Sequence, residues 1–270
     1  MSSFSNLPHS LLRYRPACNS YLPEELGNLA NGKVWFRHLG GQNDDAEGVV
    51  PIVRSSEEKL RGLFKDLRVS AMKHLPPSHE FCRKYRSVKE FRAFLRDRRR
   101  WQKQFVRVAP ERIRISCFSQ PEKHDEQYMW RKYSSAGQGF RLHFTKESNC
   151  LKEDAPYWAQ VFYCDNLDRK RVSEAELLAA EFHLTGVPVF DANPKQWMAI
   201  LQAFSVCKTE EWLPEAETRL IKYSLKEDGY VQVPNYALTG VTFGSHASCM
   251  LIEQVRDALG EELNYEQASI

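Results

Sequence analysis

Leu11, Arg13 and Arg15 alternate with Leu12 and Tyr14. A period of two places these sets on opposite faces of a short strand. Pro16 keeps Arg15 extended and ends the element. A short helix is predicted over 24–30, closed near Asn31-Gly32, then a strand over 33–37 and a loop over 40–45. Ser55 and Glu58 have capping-box spacing, and Leu60, Leu63, Phe64 and Leu67 follow at helical intervals. Ser87 and Glu90 form a second box, ahead of an amphipathic helix with Phe91, Phe94, Leu95 and Phe105 on one side. Alternation returns over 112–119, 139–144, 158–164, 217–224, 230–233 and 241–243. Helices are predicted over 129–133, from about 173, over 195–208, and over 247–259, the last stopped by Gly260. Strands scattered among helices without regular βαβ order predict an α+β fold. Its mixed, mostly antiparallel central sheet is flanked by helices. One domain spans 1–270, with a basic helical insertion at about 55–108.

Composition narrows the class. With 42% hydrophobic and 12% aromatic residues the chain can bury a core, which excludes a disordered protein. The longest stretch without Asp, Glu, Lys or Arg, residues 229–252, contains Pro234, Asn235, Gly240 and Gly244 and is no apolar span. The N-terminus has no basic start followed by an apolar core, so no secretory signal is read there. Seven scattered cysteines without a CxxC pair suit free thiols in a reducing compartment, so a cytoplasmic protein is expected.

Charge adds an asymmetry. Between Arg83 and Arg114 the segment carries a net +10, leaving −7 on the rest. Such a stripe suits a polyanionic partner, RNA, DNA or an acidic protein, contacted through Arg92, Arg96, Arg99, Arg100 and Lys103. It equally describes the solvated face of an amphipathic helix.

No P-loop, GxGxxG, GxSxG or HExxH pattern is present, and the histidines are dispersed, so no metal site is expected. Glu215-Ala216-Glu217 stands out. On a strand both carboxylates would face one site, one holding a hydroxyl while the other stabilises a cation. Solvated surface acids are the plainer reading, and Arg219, on the same face, could pair with Glu217. Ser119 at a strand end could orient a ligand or start the turn before Pro121. Trp130 and Tyr133 share a helix face, to stack on a ligand or to fill a core.

Read in order, these pieces resemble a bacterial family, domain-of-unknown-function family 2971, often found near mobile or defence genes. The matching residues include Tyr14-Arg15, Gly32 with Val34-Trp35-Phe36, Ser116 to Ser119, Met129-Trp130 with Tyr133, Gly139-Phe140, Lys208 with Trp212, Glu215, Glu217, Arg219 and Phe243-Gly244. Where the family has Phe-Asn-Asp-Pro-Phe, this chain reads Gln42-Asn43-Asp44-Asp45-Ala46, and Gly137 stands where a His is common.

The order of Arg15, Ser119 and Glu215-Ala216-Glu217 is also similar to the ADP-ribosyltransferase superfamily. That resemblance implies cleavage of NAD at its nicotinamide bond, with no metal. It implies Glu217 as the catalytic carboxylate and Glu215 as the selector of the acceptor. Arg15, with Tyr14, Ser119, Trp130, Tyr133 and Arg219, would surround the dinucleotide. The alternative is a non-catalytic nucleic-acid-binding or regulatory module working through residues 83–114.

Overall fold

The computed structural model describes residues 8–17, 20–42, 52–53, 55–74, 87, 90, 113–146, 157–163, 172–173, 205–223, 227–233 and 236–269. The architecture is α+β, as the pattern predicts. Its main sheet contains β1 (Ser10–Arg15), β2 (Lys33–His38), β4 (Ile113–Ser119), β5 (Phe140–Lys146), β6 (Tyr157–Gln160), β10 (Glu217–Tyr223), β11 (Gly229–Gln232), β12 (Tyr236–Phe243) and β13 (Asn264–Gln267). Two small parallel pairs lie outside it. One joins β3 (Ile52–Val53) to β8 (Val172–Ser173), the other β7 (Phe162–Tyr163) to β9 (Cys207–Lys208). The described helices are α1 (Leu22–Ala30), α2 (Glu57–His74), α3 (Glu126–Tyr133) and α4 (Cys249–Leu259). None of these is long and apolar enough to cross a membrane.

Most pairs in the main sheet are antiparallel; β13 runs parallel to β12 and was not anticipated. Its sequence, Asn264-Tyr265-Glu266-Gln267, has no apolar alternation to announce a strand. The register is fixed by long-range pairing with Gly240 to Phe243 instead.

The local signals have physical counterparts. Asp125 caps α3 by accepting from the Tyr128 N–H at 3.0 Å, and Ser248 caps α4 by accepting from Leu251 at 3.2 Å. Gly260, at φ +87°, stops α4 in a backbone conformation that favours glycine. Ser87 and Glu90 make the reciprocal capping box, with the Ser87 N–H donating to the carboxylate and the Glu90 N–H to the hydroxyl. At the start of α2 the Ser56 hydroxyl accepts from the Lys59 N–H at 3.2 Å.

The principal core lies between the sheet and the helices α1 and α4. Leu22, Leu26 and Leu29 of α1 and Leu251 and Val255 of α4 meet Leu11, Phe36, Phe118, Phe140 and Leu142 there. A second core, of Leu12, Tyr14, Met129 and Trp130, sits between β1 and α3.

The predicted strand over 158–164 is divided. Its first half, β6, pairs with β10, while Phe162 and Tyr163 turn away to pair with β9. The predicted helix over 195–208 also ends differently: Cys207 and Lys208 are strand, because pairing with Phe162 and Tyr163 claims them. Residues 195–204 of that helix, and Arg92, Arg96, Arg99, Arg100 and Lys103, lie outside the described residues.

Gly139 marks the tightest approach to β1. A Cβ there would lie 2.0 Å from the Arg15 carbonyl oxygen and 2.8 Å from Ser134 Oγ. Backbone cannot yield that much cheaply, so Gly139→Ala is expected to destabilise the fold by about 1–3 kcal/mol, as overpacked sites do. Urea unfolding checks it; a midpoint equal to wild type would mean that β1 moves aside freely.

Candidate functional site

The site begins with a fork in the sheet. Strand β4 pairs with β10 along its whole length, from Ile113↔Tyr223 to Ser119↔Glu217. On its other side two strands share it. β2 meets it at Arg114 and Ile115, and β1 only at Ser119, opposite Leu12. Between these two attachments, at Ser116, Cys117 and Phe118, the sheet opens. The Arg13 guanidinium spans the opening by donating to Ser116 Oγ, and it lies 5.6 Å from the Phe118 ring centroid.

A cavity of about 350 Å³ occupies this fork. Its wall includes Tyr14, Arg15, Ser119, Tyr133, Glu215 and Glu217, all anticipated from sequence. These residues come from four stretches of the chain, joined by the pairings of β1, β4 and β10 and by the docking of α3. Two anticipated residues stand elsewhere. Trp130 packs edge-on against Tyr14, with ring centroids 5.1 Å apart, and borders a different cavity. Arg219 is 0% exposed and lies behind Glu217 rather than on the cavity wall.

The carboxylate end is not built as the strand reading expects. Glu215 ends a 3-10 helix, Glu210–Glu215, and only Glu217 begins the strand. Ala216 between them is left-handed, at φ 41° and ψ 53°. A non-glycine residue pays roughly 1–2 kcal/mol for that conformation. Hydrogen bonds hold it: Ala216 N–H to Leu213 O at 3.1 Å, and Gln120 N–H to Ala216 O at 3.1 Å.

The two carboxylates therefore converge through a turn and a shared cation. Lys208 Nζ lies 2.8 Å from an oxygen of each. Glu215 also accepts from the Tyr133 hydroxyl. Arg219 grips Glu217 with Nε at 2.6 Å and Nη2 at 3.2 Å, and its Nη1 donates to Ser205 O at 2.6 Å. Glu215 and Glu217 are 4% and 3% exposed, so they are not solvated surface acids. The pairing of Arg219 with Glu217 is the one the strand face suggested.

Burial pushes the Glu217 carboxyl above the ordinary range, and Lys208 pulls against that rise. Burial works against the charge on Lys208, but Glu217 and Glu215 outweigh it and its pKa is raised. Burial also keeps the Cys117 thiol protonated, beside Glu217.

The opposite end is cationic. Arg13, Arg15 and Arg37 border the cavity, and among the described residues Glu25 of α1 is the carboxylate paired with Arg15. Burial, then the neighbouring Arg15, lowers the Arg13 pKa to about 10. Arg15 Nε is buried without a hydrogen-bond partner. Tyr14 donates to His124 Nε2 at 2.7 Å, since His124 Nδ1 is engaged with Gln120 O at 2.9 Å. Burial pushes Tyr14 up to about 12.

Sequence reasoning missed Arg13, Arg37 and Lys208 as parts of this site. The alternation in β1 did place Arg13 on the face of Arg15, and that was the available signal. Lys208 was among the residues that matched the family, but no local pattern assigned it to the site, which it reaches from β9, paired with β7.

Among the described residues, no group of His, Cys, Asp and Glu is arranged to hold a metal ion. The arrangement offers fixed cations for an anionic ligand group at one end and fixed carboxylates for hydroxyls or developing positive charge at the other.

Comparison with curated proteins finds no match, and comparison with solved structures finds none either. Residues 129–220, the stretch that supplies Tyr133, Lys208, Glu215, Glu217 and Arg219, match the model of a family described as protein of unknown function (DUF2971).

Proposed function

We propose that the cavity binds NAD and cleaves it at the nicotinamide–ribose bond, passing the ADP-ribosyl group to water or to another acceptor. The observation that carries this reading is the convergence of Arg15, Ser119, Tyr133, Glu215 and Glu217 on one cavity. Ser119 and Glu217 are direct partners across β4 and β10. The likeness to ADP-ribosyltransferases rests on these residues and their order along the chain.

The chemistry asks for two opposed environments. A diphosphate needs cations with directed N–H groups, which guanidinium supplies. Arg15 takes that role, assisted by Arg13 and Arg37. The breaking bond needs negative charge near C1′. As the C1′–N bond breaks, both electrons leave with nicotinamide and the ribose becomes cation-like. Glu217 stabilises that charge and accepts from the 2′-hydroxyl. Water, or an acceptor hydroxyl, then adds at C1′ and gives up one proton. Tyr133 provides an aromatic face for nicotinamide, and its hydroxyl fixes Glu215.

The test is release of nicotinamide from labelled NAD, with water, RNA and protein offered as acceptors, alongside calorimetry of NAD binding. Arg15→Ala is expected to weaken NAD binding by about tenfold to a hundredfold, the worth of a charged hydrogen bond. No turnover with any acceptor, together with no calorimetric binding by the wild-type protein, overturns the proposal.

A further inference from the structure

We propose that Lys208 is the positioning residue of the carboxylate pair: by lying between Glu215 and Glu217 it holds both at the cavity wall and keeps the Glu217 carboxylate ionised. This role serves the chemistry proposed above and rests on that reading for its use.

The argument starts from burial. Two carboxyl groups this buried and this close would by themselves take up a proton, since each ion is deprived of water and repelled by the other. Among the described residues, these groups face them. On the strand of Glu217 itself Arg219 occupies both oxygens of that carboxylate. From β4 comes the Cys117 thiol, which lies beside Glu217, donates to Gln42 Oε1 at 3.9 Å and carries no charge. From α3 come the Tyr133 hydroxyl and Lys132, the latter 3.7 Å from Glu215. From β7 the Tyr163 hydroxyl accepts from the Glu217 backbone N–H at 2.7 Å. Lys208 alone among these described groups touches both carboxylates, each at 2.8 Å.

The small β7–β9 sheet has a corresponding logic. Tyr163 and Lys208 are register partners in it, and both reach the Glu215–Glu217 turn. Val161 N–H donates to Glu217 O at 3.0 Å and ties the same sheet to the start of β10. A two-residue pair of strands contributes little core. Its position instead holds one ammonium group between two acids. Lys208 and Arg219 together match the charge of the two carboxylates, and Lys132 adds a further cation 3.7 Å from Glu215.

The experiment follows the Glu217 carboxyl by carbon NMR in the full chain labelled at glutamate, with Glu217→Gln identifying the signal. Lys208→Met is expected to move its titration to higher pH by about one to three units, the effect of an opposite charge at this range. Lys208→Arg, which keeps a cation, should hold it near wild type. An unchanged titration in Lys208→Met overturns the proposal. If that variant fails to fold, the wild-type protein decides the matter. Its Lys208 ammonium nitrogen should shift at the pH where Glu217 protonates, and a nitrogen signal indifferent to that step overturns the proposal as well. Neither measurement involves NAD, so a failure here is separate from a failure of nicotinamide release.

Discussion

Replacing Glu217 by Gln is expected to lower nicotinamide release by about a hundredfold to a thousandfold, the usual result of removing one preorganised electrostatic contact to a developing charge. The substitution keeps shape and removes charge. Affinity for NAD should change much less than the rate, because the carboxylate acts on the positive ribose of the transition state and the diphosphate is held at the other end of the cavity. A variant that keeps its rate would remove Glu217 from the catalytic role and leave the cavity as a binding site. Because Lys208 and Arg219 would then face an amide, Tm should be measured alongside the kinetics, so that a loss of fold is not read as a loss of chemistry.

Arg219→Met is expected to destabilise the fold by about 3–5 kcal/mol, the range for breaking a buried ion pair by removing one partner. Arg219 is 0% exposed and holds both oxygens of Glu217 as well as the Ser205 carbonyl. Its loss leaves a buried carboxylate that must share Lys208 with Glu215. The double replacement Glu217→Leu with Arg219→Met should recover part of this cost, since apolar side chains of similar volume pack well where a paired charge is removed whole. Urea unfolding of the single and double variants measures it. A single variant within 1 kcal/mol of wild type, by the same scale, would mean that water reaches Glu217 despite its burial.

Elements governed by their own sequence were legible in advance. The alternation of Leu11 to Arg15 gave β1, Ser87 with Glu90 gave a capping box, and Gly260 gave the end of α4. Site residues that share one strand face were legible too, which is how Arg219 and Glu217 came to be paired. Features made by distant pairing were not. Arg13 and Ser116 are separated by 103 residues, and only the fork in the sheet brings them together. Lys208 sat at the end of a helical periodicity, and the competing pairing with β7 made it a strand residue. Glu215 looked like part of a strand because i and i+2 spacing cannot distinguish a strand from a turn that happens to bring two side chains together.

That turn has a consequence for substitution and descent. The middle residue of Glu215-Ala216-Glu217 adopts a backbone that β-branched side chains tolerate badly, whereas glycine and asparagine enter it readily. Chains that share this site by inheritance should therefore vary there among Ala, Gly, Asn and other small or polar residues, and avoid Val, Ile and Pro. Chains whose Glu-x-Glu lies on a regular strand are free to place Val or Ile between the acids. The identity of one solvent-shielded residue, silent in any chemical role, thus separates two geometries that the flanking glutamates alone make look the same.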